Sequence, residues 1–134
     1  RYLQGLETLD LSNNLLEDLD ELIYLKELKN LILTNNRLKK IENIKHIQSL
    51  PNLRYLALEG NGLINKLKKV DGLSQIKNLR KIILFNNSDQ LKKLPQEIVN
   101  LNNLRYFRLD DSTIENPSNK KIIRVLKEKN VDVF

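Results

Sequence analysis

Apolar residues recur along the chain in two alternating rhythms. The first is a spaced cluster: Leu6, Leu9 and Leu11, then Asn14 and Leu16. It returns as Leu28, Leu31 and Leu33 with Asn36 and Leu38, and as Leu53, Leu56 and Leu58 with Asn61 and Leu63. Two altered copies follow: Leu79, Ile82, Leu84 and Asn87, then Leu104, Phe107, Leu109, Ser112 and Ile114. Inside each cluster apolar and variable positions alternate, which is the period of a strand with one buried face. The second rhythm fills the gaps with one apolar residue in three: Leu19, Leu22, Leu25, Leu28, later Ile41, Ile44, Ile47, Leu50, Leu53, and Val70, Leu73, Ile76, Leu79. Side chains three apart eclipse in a 3₁₀ turn, so these stretches predict 3₁₀ or irregular turns, not long helices. The last gap reads Leu94-Pro95, Ile98, Leu101, Leu104.

Together the rhythms define a repeat starting near Leu6, Leu28, Leu53, Leu79 and Leu104. Its length of about 22 to 26 residues leaves room for one strand and a few turns. Reduced to spacing, the third copy is L-x-x-L-x-L-x-x-N-x-L. The chain resembles the leucine-rich repeat family over nearly its whole length, on five in-phase copies of this motif. The resemblance implies an α/β, right-handed leucine-rich repeat solenoid. Its parallel β-sheet forms the concave face, and its short turns lie on the convex side. It also implies a ladder of stacked asparagines at the exit of each strand, here Asn14, Asn36, Asn61 and Asn87, ending on Ser112. An amide both donates and accepts, so each rung can satisfy backbone groups inside its turn.

The ends differ from the middle. Tyr2 to Leu6 reads as the tail of an incomplete repeat, and a cap or further repeat before Arg1 is expected. Beyond Ile114 the repeat stops. Asn116-Pro117-Ser118 is a helix start, with a capping residue followed by a proline that needs no donor. Ile122, Ile123, Val125 and Leu126 among charges predict an amphipathic helix over Lys120–Lys129, ended by Asn130. Val131 to Phe134 reads as a terminal strand. Residues 115–134 are therefore expected to form a C-terminal cap on one repeat domain spanning 1–134. Extra residues lengthen two loops, Leu63 to Lys66 and Ser88 to Gln90, and such insertions map to loops on one face.

Alternation and register name the outward columns of the sheet. They are Thr8, Asn30, Tyr55, Lys81, Tyr106; then Asp10, Ile32, Ala57, Ile83, Arg108; then Ser12, Thr34, Glu59, Phe85, Asp110; and at the rim Asn13, Asn35, Gly60, Asn86, Asp111. Ile32, Tyr55, Ala57, Ile83, Phe85 and Tyr106 are expected to form an apolar patch, fringed by Lys81, Arg108, Glu59 and Asp110. Aromatics with arginine inside a polar ring are the composition of a protein interface core. The pairs Lys39-Lys40, Lys68-Lys69 and Lys92-Lys93 fall at one position of successive repeats and predict a basic stripe. It reads first as a solvated flank; docking of an acidic protein surface, a phosphate backbone or anionic lipid is the weaker alternative, and the lack of interleaved aromatics weighs against single-stranded nucleic acid.

Composition bears mainly on what chemistry is missing. The 134 residues carry a formal charge of +6, no cysteine and one histidine. Without thiols there are no disulfides, no thiolate metal sites and no cysteine nucleophile. His46 lies between Ile44 and Ile47 on the back with no nucleophile in register, and is expected to be a half-exposed surface residue. Glu59-Gly60-Asn61-Gly62 is no phosphate loop, and its glycines are expected to serve the turn. Asn86-Asn87-Ser88 matches the glycosylation triplet by chance spacing beside the ladder residue Asn87.

The expectation is a non-enzymatic protein–protein interaction module that needs no cofactor or metal, is monomeric as a domain, and binds a partner protein on its concave face. The alternative is the recognition arm of a larger enzyme, effector or receptor. The absence of cysteine points to a cytoplasmic location, with secretion or the cell surface as the alternative if a leader precedes Arg1.

Overall fold

In a computed structural model of the protein, residues 3–38, 46–62, 74–87 and 93–134 are described. Six strands form one sheet in sequence order: β1 (Thr8–Asp10), β2 (Asn30–Ile32), β3 (Tyr55–Ala57), β4 (Lys81–Ile83), β5 (Tyr106–Arg108) and β6 (Asp132–Val133). Every pairing is parallel. Strand centres Leu9, Leu31, Leu56, Ile82 and Phe107 stand opposite one another, so the motif positions stack without slippage. A slip of one residue would turn each of these side chains out to water.

The one-in-three rhythm folds as expected. Leu22, Leu25 and Leu28 each donate their N–H to the carbonyl three residues back, and so do Leu50, Leu53, Leu79, Leu101 and Leu104. Asp20–Tyr24 and Gln96–Asn100 are 3₁₀ helices. The sides of these turns that face the sheet are buried, through Leu22 and Ile98. Core residues Leu31, Leu56, Ile82, Phe107 and Leu104 are fully enclosed. Each such side chain contributes about 1.5–3 kcal/mol through removal from water. Ile41, Ile44, Val70, Leu73 and the loops Leu63 to Lys66 and Ser88 to Gln90 lie outside the described residues.

A short helix, α1 (Asp111–Ile114), follows β5 and takes in Ser112, the expected last ladder position. Asn116 accepts a hydrogen bond from the Ser118 N–H, Pro117 starts a 3₁₀ turn, and α2 (Lys120–Glu128) follows. Ile122, Ile123 and Leu126 face inward from α2, and Asn130 ends it with φ of 62°. The chain then returns as β6 beside β5.

The asparagine ladder is present with one replaced rung. Asn36 donates to the carbonyls of Leu11 and Leu33, and its oxygen accepts from the Leu16 N–H at 3.1 Å. Asn61 does the same one repeat on, with Leu33, Leu58 and the Leu38 N–H. Asn87 bonds the Leu84 carbonyl and the Asn61 N–H. Asn14 donates within its own loop and stays exposed. Ser112 is not a rung: it is exposed in α1. The fully buried Asn119 acts instead, accepting from the Leu94 N–H at 2.9 Å and donating to the Thr113 carbonyl at 2.7 Å. A serine hydroxyl is too short to reach back to the preceding repeat once the chain has turned into α1. The cap returns an amide from the other side.

Candidate interaction face

Strand register places the predicted outward columns as expected through the first two positions. Thr8, Asn30, Tyr55, Lys81 and Tyr106 are consecutive partners, as are Asp10, Ile32, Ala57, Ile83 and Arg108. Asp132 continues the first column beyond Tyr106. The third column follows the strands out: Asn13 N–H donates to Thr34, and Asn35 N–H to Glu59. At the rim, Asn13, Asn35, Gly60 and Asn86 all have positive φ, between 54° and 68°. Asparagine and glycine tolerate this left-handed geometry, so the rim residues are turn-formers. The doublets Asn13-Asn14, Asn35-Asn36 and Asn86-Asn87 divide the labour, the first turning the chain and the second bracing it. Asp111 breaks the column because it opens α1.

Two expectations about the patch change. Ala57 belongs to the second column but is only 2% exposed, because its methyl lies between the longer Ile32 and Ile83. It is floor, not contact surface. Lys81 and Arg108 do not fringe the patch but sit within it. The Lys81 ammonium lies 5.4 Å from the Tyr55 ring centre and 5.9 Å from that of Tyr106. The Arg108 guanidinium stands 4.6 Å from the Phe85 ring centre. Each is within cation–π range. Phe85 and Tyr106 remain 38% and 50% exposed, Ile32, Ile83, Tyr55 and Lys81 are half-buried, and Arg108 is open to solvent.

Acidic groups on this face have distinct environments. Ser12 donates its hydroxyl and its N–H to one Asp10 oxygen, which holds that carboxyl below its ordinary range. Burial pushes the Tyr55 phenol up, reinforced by the negative charges of Glu59 and Asp10. One Asp110 oxygen accepts from the Asn86 N–H at 2.9 Å, and the other is buried without a hydrogen bond. Asp110 thus ties the fourth repeat to the fifth, while Glu59, two strands away in the same column, is half-exposed.

The family model for the leucine-rich repeat matches residues 2–132. The chain belongs to the leucine-rich repeat family. No curated protein matches the sequence. Among solved structures, a leucine-rich repeat protein of Leptospira interrogans is similar, with 29% identity and a TM-score of 0.80 over 98% of this chain. This chain spans only 32% of that protein. An internalin of Listeria monocytogenes has 18% identity and a TM-score of 0.39, covering 81% of this chain and 44% of its own. Internalin C2 of the same organism has 18% identity and a TM-score of 0.35, covering 87% of this chain and 79% of its own. The leucine-rich repeat is generally a protein-interaction fold.

Elsewhere the repeat protein holds features its sequence did not announce. Asn52, Asn78 and Asn103 donate to the carbonyls of Lys26, Pro51 and Lys77, forming a second ladder where the turns meet the strands. Their signal was an asparagine just before the starting leucine in three successive repeats. His46 is half-buried on the back, as expected, and its Nε2 lies 3.0 Å from Asp20 of the preceding repeat. Of the stripe lysines, Lys93 is exposed, while Lys39, Lys40, Lys68, Lys69 and Lys92 lie outside the described residues. Among the described residues no cluster of three metal-ligating side chains occurs, and no helix is long and apolar enough to cross a membrane.

Proposed function

We propose that the chain is a non-enzymatic recognition module that binds a partner protein on the outer face of β3, β4 and β5. One observation carries this reading: Tyr106 stays 50% exposed on a strand paired in parallel on both sides, and Phe85 stays 38% exposed two residues beyond β4, against the Arg108 guanidinium. Rings held in place before binding cost little ordering entropy, which is what makes aromatics interface anchors. Ile32 and Ile83 extend the apolar area, and Lys81, Arg108 and Glu59 give it polar specificity. Asp110 supports the face from beneath.

A comparative pull-down tests this. Wild type is set beside a Tyr55→Ala, Phe85→Ala, Tyr106→Ala variant whose fold is verified by circular dichroism. Loss of specific partners from the variant is expected. Identical recovery by both proteins removes the assignment. A second reading, the recognition arm of a longer protein, draws support from the short span of the Leptospira relative that this chain matches. The flanking reading frame tests it: sequence encoding an enzymatic or signalling domain in frame with the repeats is expected, and an isolated frame rejects it.

A further inference from the structure

The residue after each starting leucine forms a column that the pattern of outward positions did not include: Glu7, Lys29, Arg54, Arg80 and Arg105. Backbone bonds fix its register. Lys29 N–H donates to Glu7, Arg54 to Lys29, Arg80 to Arg54 and Arg105 to Arg80. Successive members are therefore about 4.8 Å apart, one strand spacing. The ends of the column are satisfied. Lys29 pairs with Glu7 at 2.6 Å, and the Arg105 guanidinium turns back onto the carbonyls of Asn102 and Leu104. The middle is not. Arg54 and Arg80 are exposed, and among the described residues no carboxylate lies in ion-pair range of either. In the chain they directly precede Tyr55 and Lys81 of the aromatic patch.

We propose that the partner segment taken by this face is acidic, with carboxylates that meet Arg54 and Arg80 while its apolar side chains reach Tyr55, Phe85 and Tyr106. This rests on the concave-face reading and adds the chemistry of the occupant. Two adjacent guanidiniums repel each other and present paired donors matched to carboxylates, so an anionic segment relieves the one and satisfies the other. A nucleic acid would also supply anions, but two features favour protein. The ring faces that bases would stack on are already occupied by Lys81 and Arg108. The strand-exit side carries Glu59, Asp110 and Asp111, which repel a continuous phosphate chain but leave room for a segment acidic on one side only.

The test is fluorescence anisotropy with a labelled random glutamate–tyrosine copolymer. Wild type is expected to bind, more weakly as salt is raised. Arg54→Glu with Arg80→Glu is expected to weaken binding about tenfold or more. Lys120→Glu with Lys127→Glu, the same charge change on α2, is expected to stay within about twofold. Absent copolymer binding, equal loss in both double variants, or indifference to the arginine reversals overturns the proposal. So does tighter binding of labelled oligouridine than of the copolymer. If partners recovered by wild type are lost with Tyr106→Ala but kept after the arginine reversals, the face is right and the acidic chemistry is wrong. Loss after both supports both readings.

Discussion

The outer face of β1 and β2 and that of β3 to β5 share one backbone geometry but use their side chains differently. On the first two strands, apart from Ile32 at the border of the patch, the polar groups bind one another. Asn30 donates to the Thr8 hydroxyl at 2.9 Å, Ser12 to Asp10, Asn35 to Asn13, and Lys29 pairs with Glu7. On the last three, rings and cations stack, and the exposed edges of Phe85, Tyr106 and Arg108 face solvent. A self-satisfied polar face offers a partner little, since each bond made must replace one already present. A face of fixed aromatics and cations offers apolar area at small entropic cost. Identical scaffolding thus yields one half that stiffens the array and one half free to bind.

Four perturbations sharpen or break this contrast. The largest concerns the scaffold common to both halves. Phe107→Ala, at a fully enclosed position beneath the binding half, is expected to cost about 3 to 5 kcal/mol by chemical denaturation. A loss below about 1 kcal/mol would mean that the core beneath β5 collapses easily and holds its face loosely. Next, Asn119→Ala is expected to cost about 2 kcal/mol, since it strips the Leu94 N–H of its partner in a buried site. Ser112→Ala is expected to stay under about 0.5 kcal/mol. The reverse order would restore serine as the last rung.

The contrast itself is measured with whichever partner the pull-down yields. Tyr106→Ala is expected to weaken binding by about 2 kcal/mol and Thr8→Ala by less than about 0.5 kcal/mol, with stability nearly unchanged in both. Equal effects at the two positions would erase the distinction between the halves. The smallest effect is a titration. Burial holds the Tyr55 proton above the ordinary phenol value of 10.0. The native state then keeps a proton that the unfolded chain releases. The associated stability is intact below about pH 10 and is lost as pH rises through the higher native value. The ultraviolet difference between wild type and Tyr55→Phe should titrate above that of a free phenol. A midpoint at or below it would mean that Tyr55 is no more buried than an exposed tyrosine.

Much of the molecule was legible because its periods are rigid. Alternation fixed which residues face outward, and the leucines at every third position reappear as donors of 3₁₀ bonds at Leu22, Leu25, Leu28, Leu101 and Leu104. The misreadings fall where a residue's surroundings come from outside its own repeat. Ala57 was counted as surface although its neighbours across the strands are longer than it is. Lys81 and Arg108 were placed at the margin because a long side chain's direction depends on what lies one strand away. Asn119 was missed because it reaches the ladder from the cap, outside any period, while Ser112 occupied the expected position.

The sequence by itself determined the solenoid, the parallel register and the columns of the sheet, since spacing decides which side chains can be buried together. Only the tertiary structure decided which outward residues are accessible, which cations rest on rings, and which arginines have no carboxylate in ion-pair range among the described residues. Those properties depend on packing between repeats, where side-chain length and direction, not spacing, select the contact.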